Sequence, residues 1–119
     1  MMIELLVGFA FAIDGDTIDM GGTRIRLWGI DAPEMATMYG EGSKRNLANT
    51  ILKFRLTCKV KGKSYRRLVA QCKRDDGVDI GMAQVKQGYA LDCARYSGMY
   101  YKKYETYRAR LTYTRMRSC

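Results

Sequence analysis

Two short runs rich in acids and arginines, separated by Gly21-Gly22, constrain this chain more than any other feature. Ile13-Asp14-Gly15-Asp16-Thr17-Ile18 precedes the glycine pair, and Arg24-Ile25-Arg26-Leu27-Trp28-Gly29-Ile30-Asp31-Ala32-Pro33-Glu34 follows it. A two-residue Gly-Gly turn closes an antiparallel hairpin, because glycine reaches the required left-handed backbone without strain. A turn at Gly21-Gly22 sets Thr17 opposite Arg26 and leaves Asp16 one residue from Arg26 across the ladder. Asp31 and Glu34 lie at the end of the second run, which Pro33 stops. Carboxylates gathered beside an arginine repel one another unless a cation sits among them. A hard, oxygen-loving ion such as Ca²⁺ is the natural missing component, and the arginine is left to meet a phosphate.

The charge balance points the same way. Lys and Arg number 21 against 12 Asp and Glu, a formal charge of +9 on 119 residues. A field of that sign attracts polyanions, nucleic acid first among them, although cations also serve simply to solvate a surface. The chain contains no histidine, which excludes chemistries built on imidazole as base, acid or ligand. Cysteines at 58, 72, 93 and 119 lack the close pairs of a structural zinc site. Cys58 and Cys72 are expected on facing strands, as buried thiols or as a disulfide, whereas Cys93 and Cys119 flank the last helical region and are expected to bridge in an oxidising compartment. No apolar run approaches the ~20 residues that span a bilayer, so no membrane partner is expected. Met1 to Val7 lacks the basic start of a signal peptide.

Positions 3, 5, 7, 9, 11 and 13 are Ile, Leu, Val, Phe, Phe and Ile, an alternation that predicts a first strand with one strongly apolar face. The hairpin supplies strands two and three. Gly40 and Gly42 mark a loop, and Ser43 to Phe54 reads as a helix with Leu47, Ile51 and Leu52 on one face. Leu56–Val60 and Arg67–Lys73 form a second antiparallel pair joined by a polar loop. A short helix runs from Asp79 to Gln87, stopped by Gly88. Gly98 opens a last helix, with Tyr100, Tyr104, Tyr107 and Leu111 expected to pack as its buried face. The fold class is therefore α+β, mainly β: a five-stranded OB-type barrel with about three packed helices, in one domain over residues 1–119.

At this point the sequence resembles the staphylococcal nuclease-like (thermonuclease) family. Asp14-Gly15-Asp16-Thr17, Arg24-Ile25-Arg26-Leu27, Asp31-Ala32-Pro33-Glu34, Tyr39-Gly40-Glu41-Gly42, Tyr65-Arg66-Arg67-Leu68-Val69-Ala70 and Gln87-Gly88-Tyr89-Ala90 occur in the family's order. The resemblance implies a Ca²⁺-dependent nuclease that hydrolyses DNA and RNA with little sequence specificity and leaves 3′-phosphate ends. It implies that Asp16, Asp31 and the Ala32 carbonyl bind Ca²⁺, that Glu34 serves the attacking water, and that Arg26 and Arg67 grip the phosphate. Tyr65 and Tyr96 are candidate contacts to the nucleotide. The expected partners are DNA and RNA, single strands preferred, met by a monomer. Cysteine content and the resemblance favour a secreted or periplasmic location. Arg66 stands where the family has glycine, and the loop after Glu34 is short.

Plainer readings stand beside these. Asp14-Gly15-Asp16 in isolation is an ordinary turn, and Arg26 or Arg67 could form structural ion pairs with Asp16 or Glu34. An EF-hand is excluded, because Ile25 and Lys86 occupy the twelfth positions counted from Asp14 and Asp75. The alternative function is a catalytically inactive nuclease-fold module that binds nucleic acid; the presence of all three acids favours the enzyme.

Overall fold

The computed structural model describes residues 4–119, so Ile3 of the expected first strand lies outside the described residues. The strands are β1 (Leu5–Gly8), β2 (Phe11–Asp14), β3 (Thr17–Met20), β4 (Thr23–Leu27) and β5 (Ile30–Asp31), followed by helix α1 (Gly40–Ile51). The chain continues through β6 (Leu56–Ser64), β7 (Arg67–Arg74), α2 (Ile80–Lys86), β8 (Leu91–Asp92), α3 (Ala94–Ser97), a 3₁₀ turn at Lys102–Tyr104 and α4 (Tyr107–Thr112). Six strands form one sheet in the order β1-β6-β7-β4-β3-β2, and β5 and β8 form a small second sheet. The protein is mixed α+β, mainly β. β1 and β2 sit at opposite edges of the large sheet yet are separated in sequence by Phe9-Ala10 alone. The expected first strand is thus one bent strand that pairs with β6 through its first half and with β3 through its second. The sheet curls into an OB-like shape whose edges are joined by the chain itself, not by an unbroken hydrogen-bond ladder, and β4 runs parallel to β7.

The Gly21-Gly22 turn has φ of 58° and 93°, and the β3–β4 register pairs Thr17 with Arg26 as expected. Which face of the first strand is buried differs from the expectation. Leu5, Val7, Phe9 and Phe11 are all more than half exposed, while Leu6, Gly8, Ala10 and Ala12 turn inward. The interior beside β1 and β2 is already filled by Ile18, Met20, Ile25 and Leu27, and a Cβ on Gly8 would stand 3.4 Å from the Met20 side chain. Small residues therefore take the inner face.

Helix α2 matches its sequence signals closely. Asp79 Oδ1 accepts from the Gly81 and Met82 amides at 2.9 and 3.2 Å, an N-cap, and Gly88 leaves the helix at φ 84°. Helix α1 starts three residues earlier than expected. The loop expected between Val60 and Arg67 is mostly strand: β6 runs on to Ser64 and turns at Tyr65-Arg66, with Tyr65 at φ 57°. The single last helix is also corrected. Glu105 and Thr106 are extended and split the region into α3, a 3₁₀ turn and α4, so Tyr100, Tyr107 and Leu111 are exposed and Tyr101 is the fully buried tyrosine.

Two disulfides are present. Cys58–Cys72 joins directly paired residues of β6 and β7, and Cys93–Cys119 ties the segment after α4 to the end of β8. Among the described residues, no helix is long and apolar enough to cross a membrane.

The Tyr101 hydroxyl donates to Asp79 Oδ2 at 2.8 Å inside the core, and Gln71 Nε2 donates to the same oxygen at 2.9 Å. Tyr101→Phe leaves that buried carboxylate with one donor fewer. It should cost about 1–2 kcal/mol in denaturant unfolding with an unchanged m-value; an unmoved midpoint would contradict the assigned role.

Candidate active site

Asp16 occupies the two-residue turn between β2 and β3, and its carboxylate points into the protein. Oδ2 accepts the Ala32 amide at 3.0 Å, Oδ1 accepts the Thr17 hydroxyl at 3.3 Å, and Arg26 Nη2 stands 3.5 Å from Oδ2. The turn is held from behind. Gln84, fully buried in α2, donates its amide to the Gly15 carbonyl at 2.7 Å and to the Ser43 carbonyl at 3.1 Å. A Cβ at position 15 would fall 2.0 Å from Ser43 Oγ, so glycine is required there by close approach.

Asp31 ends β5 and is buried, and its Oδ2 accepts the Met116 amide at 2.6 Å. Arg26 acts electrostatically on both Asp16 and Asp31. Burial dominates over it at each site. Desolvation, reinforced by neighbouring Asp14, pushes the Asp16 carboxyl up to about 7 despite Arg26, and desolvation likewise raises Asp31 against the Met116 hydrogen bond and Arg26.

Glu34 lies apart, exposed in the loop between β5 and α1. Its carbonyl accepts the Thr37 amide and hydroxyl at 2.9 and 2.7 Å. Gly40 seals this loop onto α1, since a Cβ there would come within 2.2 Å of the Glu34 carbonyl oxygen. Arg67 opens β7. It lines a cleft of about 180 Å³ with Arg26, Tyr96 and Met116, whereas Asp31, Ala32 and Glu34 line an adjoining cleft that also reaches Met116. Tyr96 is exposed on α3. Tyr65 is 98% exposed at the hairpin tip and lines neither cleft. The structure thus brings Asp16, Arg26 and Ala32 into direct contact, sets Asp31 in the same field, and places Arg67 and Tyr96 in the cleft of Arg26.

Among the described residues, no three His, Cys, Asp or Glu side chains stand together closely enough to hold a metal ion. A cation here would rest on the Asp16 and Asp31 carboxylates, the Ala32 carbonyl and water. That donor set fits Ca²⁺, being all hard oxygen. Sequence reasoning missed Gln84, Ser43 and Met116. Gln84 carries a detectable signal, a polar residue between Ala83 and Val85 on the helix face that packs inward. Met116 acts through its main chain and carries none.

Because its folded-state pKa lies above the ordinary 3.8, Asp16 binds its proton more tightly in the folded state. Its contribution to stability is therefore present below about pH 3.8 and lost as pH rises toward 7. Without metal, the stability of Asp16→Asn relative to the parent should improve steadily from pH 4 to about pH 7.5 in thermal unfolding; a difference independent of pH would contradict the assignment.

The protein is similar to the "Succinoglycan biosynthesis protein ExoI" of Rhizobium meliloti (strain 1021), 34% identical over an alignment of 101 positions that covers 75% of this chain. The match spans 53% of that relative, about half its length. The family model described as "Staphylococcal nuclease homologue" matches residues 24–115, which include Arg26, Asp31, Ala32, Glu34, Arg67 and Tyr96. The chain belongs to the staphylococcal nuclease-like family.

Proposed function

We propose that this protein is a Ca²⁺-dependent phosphodiesterase that cleaves DNA and RNA with little sequence preference. The observation that carries the reading is that Arg26 stands 3.5 Å from the buried Asp16 carboxylate, acts electrostatically on buried Asp31, and lines a cleft together with Arg67. In this reading Asp16, Asp31 and the Ala32 carbonyl hold Ca²⁺, which supplies Lewis-acid polarisation of a phosphoryl oxygen. Arg26 and Arg67 grip the phosphate through paired N–H groups, and their contacts strengthen as the equatorial oxygens gain charge at five-coordinate phosphorus. Glu34 orients a water and takes its proton as the water attacks; the P–O5′ bond breaks, the leaving 5′-oxygen takes a proton from solvent to end as a 5′-hydroxyl, and a 3′-phosphate end remains.

A site that grips backbone reads phosphate and not base edges, which accounts for the weak sequence preference. Tyr65 and Tyr96, both exposed, offer faces to unpaired bases and favour single strands. The chain acts as one nuclease domain and as a monomer in this account. The two disulfides fit a secreted or periplasmic setting.

The reading is tested by turnover of single-stranded DNA with Ca²⁺ and with chelator, beside variants. Chelator should abolish cleavage. Glu34→Gln should keep Ca²⁺ and strand binding but lose about 10²- to 10⁴-fold in rate, and Arg26→Ala and Arg67→Ala should lose a comparable factor or more. Strand binding with no turnover under any metal condition would identify a binding module instead.

Binding should also weaken steeply between about 50 and 200 mM salt, because phosphate contacts release counterions. Fluorescence anisotropy that shows equal affinity at both concentrations would contradict a backbone-gripping site.

A further inference from the structure

The residues after α4 pack onto the candidate site without belonging to any strand or helix. From Tyr113 to Cys119 the chain is irregular, with one turn closed by the Cys119 amide on the Met116 carbonyl at 3.0 Å. It is nonetheless fixed at several points. The Tyr113 hydroxyl donates to the Gly88 carbonyl at 2.8 Å, and Arg115 Nε donates to the Asp92 carbonyl at 3.0 Å. Arg115 also pairs with the fully buried Glu105 carboxylate, which takes the Asp92 amide and Arg110 as well. The Cys93–Cys119 bridge holds the far side. Between these anchors Met116 borders both clefts, and its main-chain N–H meets Asp31 across 85 residues of sequence.

We propose that this segment is a strap whose Met116 N–H aims the Asp31 carboxylate at the cation, and that the Cys93–Cys119 latch makes cation affinity depend on the redox state of that bridge. The proposal rests on the reading of Asp31 as a cation ligand. A carboxylate has acceptor capacity on both oxygens. The amide on Oδ2 leaves Oδ1 free and stops the group from turning, which is how outer-shell donors raise the affinity of a ligand they touch. Met116 is thus a positioning residue.

The latch matters because, beyond Arg115, it is the one covalent tie on the strap, beside the Met116 amide on Asp31, the Cys119 amide on the Met116 carbonyl and the Arg95 amide on the Cys119 carbonyl at 3.4 Å. Reduction by a dithiol delivers two electrons and two protons, giving the Cys93 and Cys119 thiols and the oxidised dithiol. The strap then regains the freedom that the closed loop had removed. Cys58–Cys72 lies within an eight-pair ladder between β6 and β7, and its loss does not free the strap.

The test compares Ca²⁺ affinity by calorimetry in the parent, in Cys93→Ser/Cys119→Ser, and in Met116→Pro, which keeps the bridge and removes the N–H. Hydrogen exchange at the Met116 amide and thermal unfolding are followed in metal-free parent and Ser/Ser protein. Both variants should bind Ca²⁺ about tenfold or more weakly, and the Ser/Ser variant should lose protection at Met116. If the Ser/Ser variant does not fold, Met116→Pro decides. A parent that binds Ca²⁺ beside variants that bind it equally or more tightly overturns the proposal, even where the melting temperature falls, and leaves the proposed function standing. A parent that binds no Ca²⁺ overturns the cation reading and the strap's role with it.

Discussion

The pairing of Thr17 with Arg26 is the constraint on which the rest of the site depends. It places a guanidinium beside a carboxylate that is nearly sealed from water. A slip of one residue would send Arg26 to the opposite face of the sheet and leave Asp16 buried without a cation. The register is secured by the Gly21-Gly22 turn at one end and by the parallel β4–β7 pairing on the other side of β4. That same pairing brings the start of β7, and so Arg67, toward Arg26. One strand thereby sets both arginines, and the turn before β3 sets the acid.

The fold supports this charge cluster by making its surroundings rigid and apolar. Ile18, Ile25, Leu27 and Ile30 are fully or almost fully buried beside it, and α2 reaches in with Gln84 to hold the Gly15 carbonyl. The low dielectric that raises the Asp16 pKa also strengthens any interaction of that carboxylate with a divalent cation. Burial therefore costs the protein stability at neutral pH, and in the proposed reading a cation at this site would offset that cost. Near the Asp31 end the same logic recurs on the structural side. Burial alone would raise Glu105, but the Asp92 amide, Arg110, Arg115 and Lys102 together hold its carboxyl below the usual range.

Local chemistry was readable from the sequence wherever a single residue type forces a backbone state. The glycine pair gave the hairpin register and Asp79 and Gly88 bounded α2, whereas the strand expected to run on to Pro33 breaks at Trp28-Gly29, where Gly29 sits at φ 77°, and resumes as β5 in the second sheet. Sequence failed where tertiary packing chooses between equivalent local options. Alternation over residues 5–11 announces a strand but not which face is inside, and here the large side chains lie outside because the interior was already full. The tyrosines after Gly98 have helical spacing, yet the buried Glu105 fixes an extended backbone where a helix would have continued. The Met116 contact is made by main chain, so no side-chain pattern could announce it.

The central claim is that Asp16, Asp31 and Ala32 form a cation site beside Arg26. The most direct measurement is a crystal structure grown with Ca²⁺, the ion located by its anomalous scattering. The account predicts one ion with oxygen ligands at about 2.3–2.6 Å, drawn from the Asp16 and Asp31 carboxylates and the Ala32 carbonyl. Saturating Ca²⁺ with no ion at these atoms, or with its ion bound elsewhere, would contradict it.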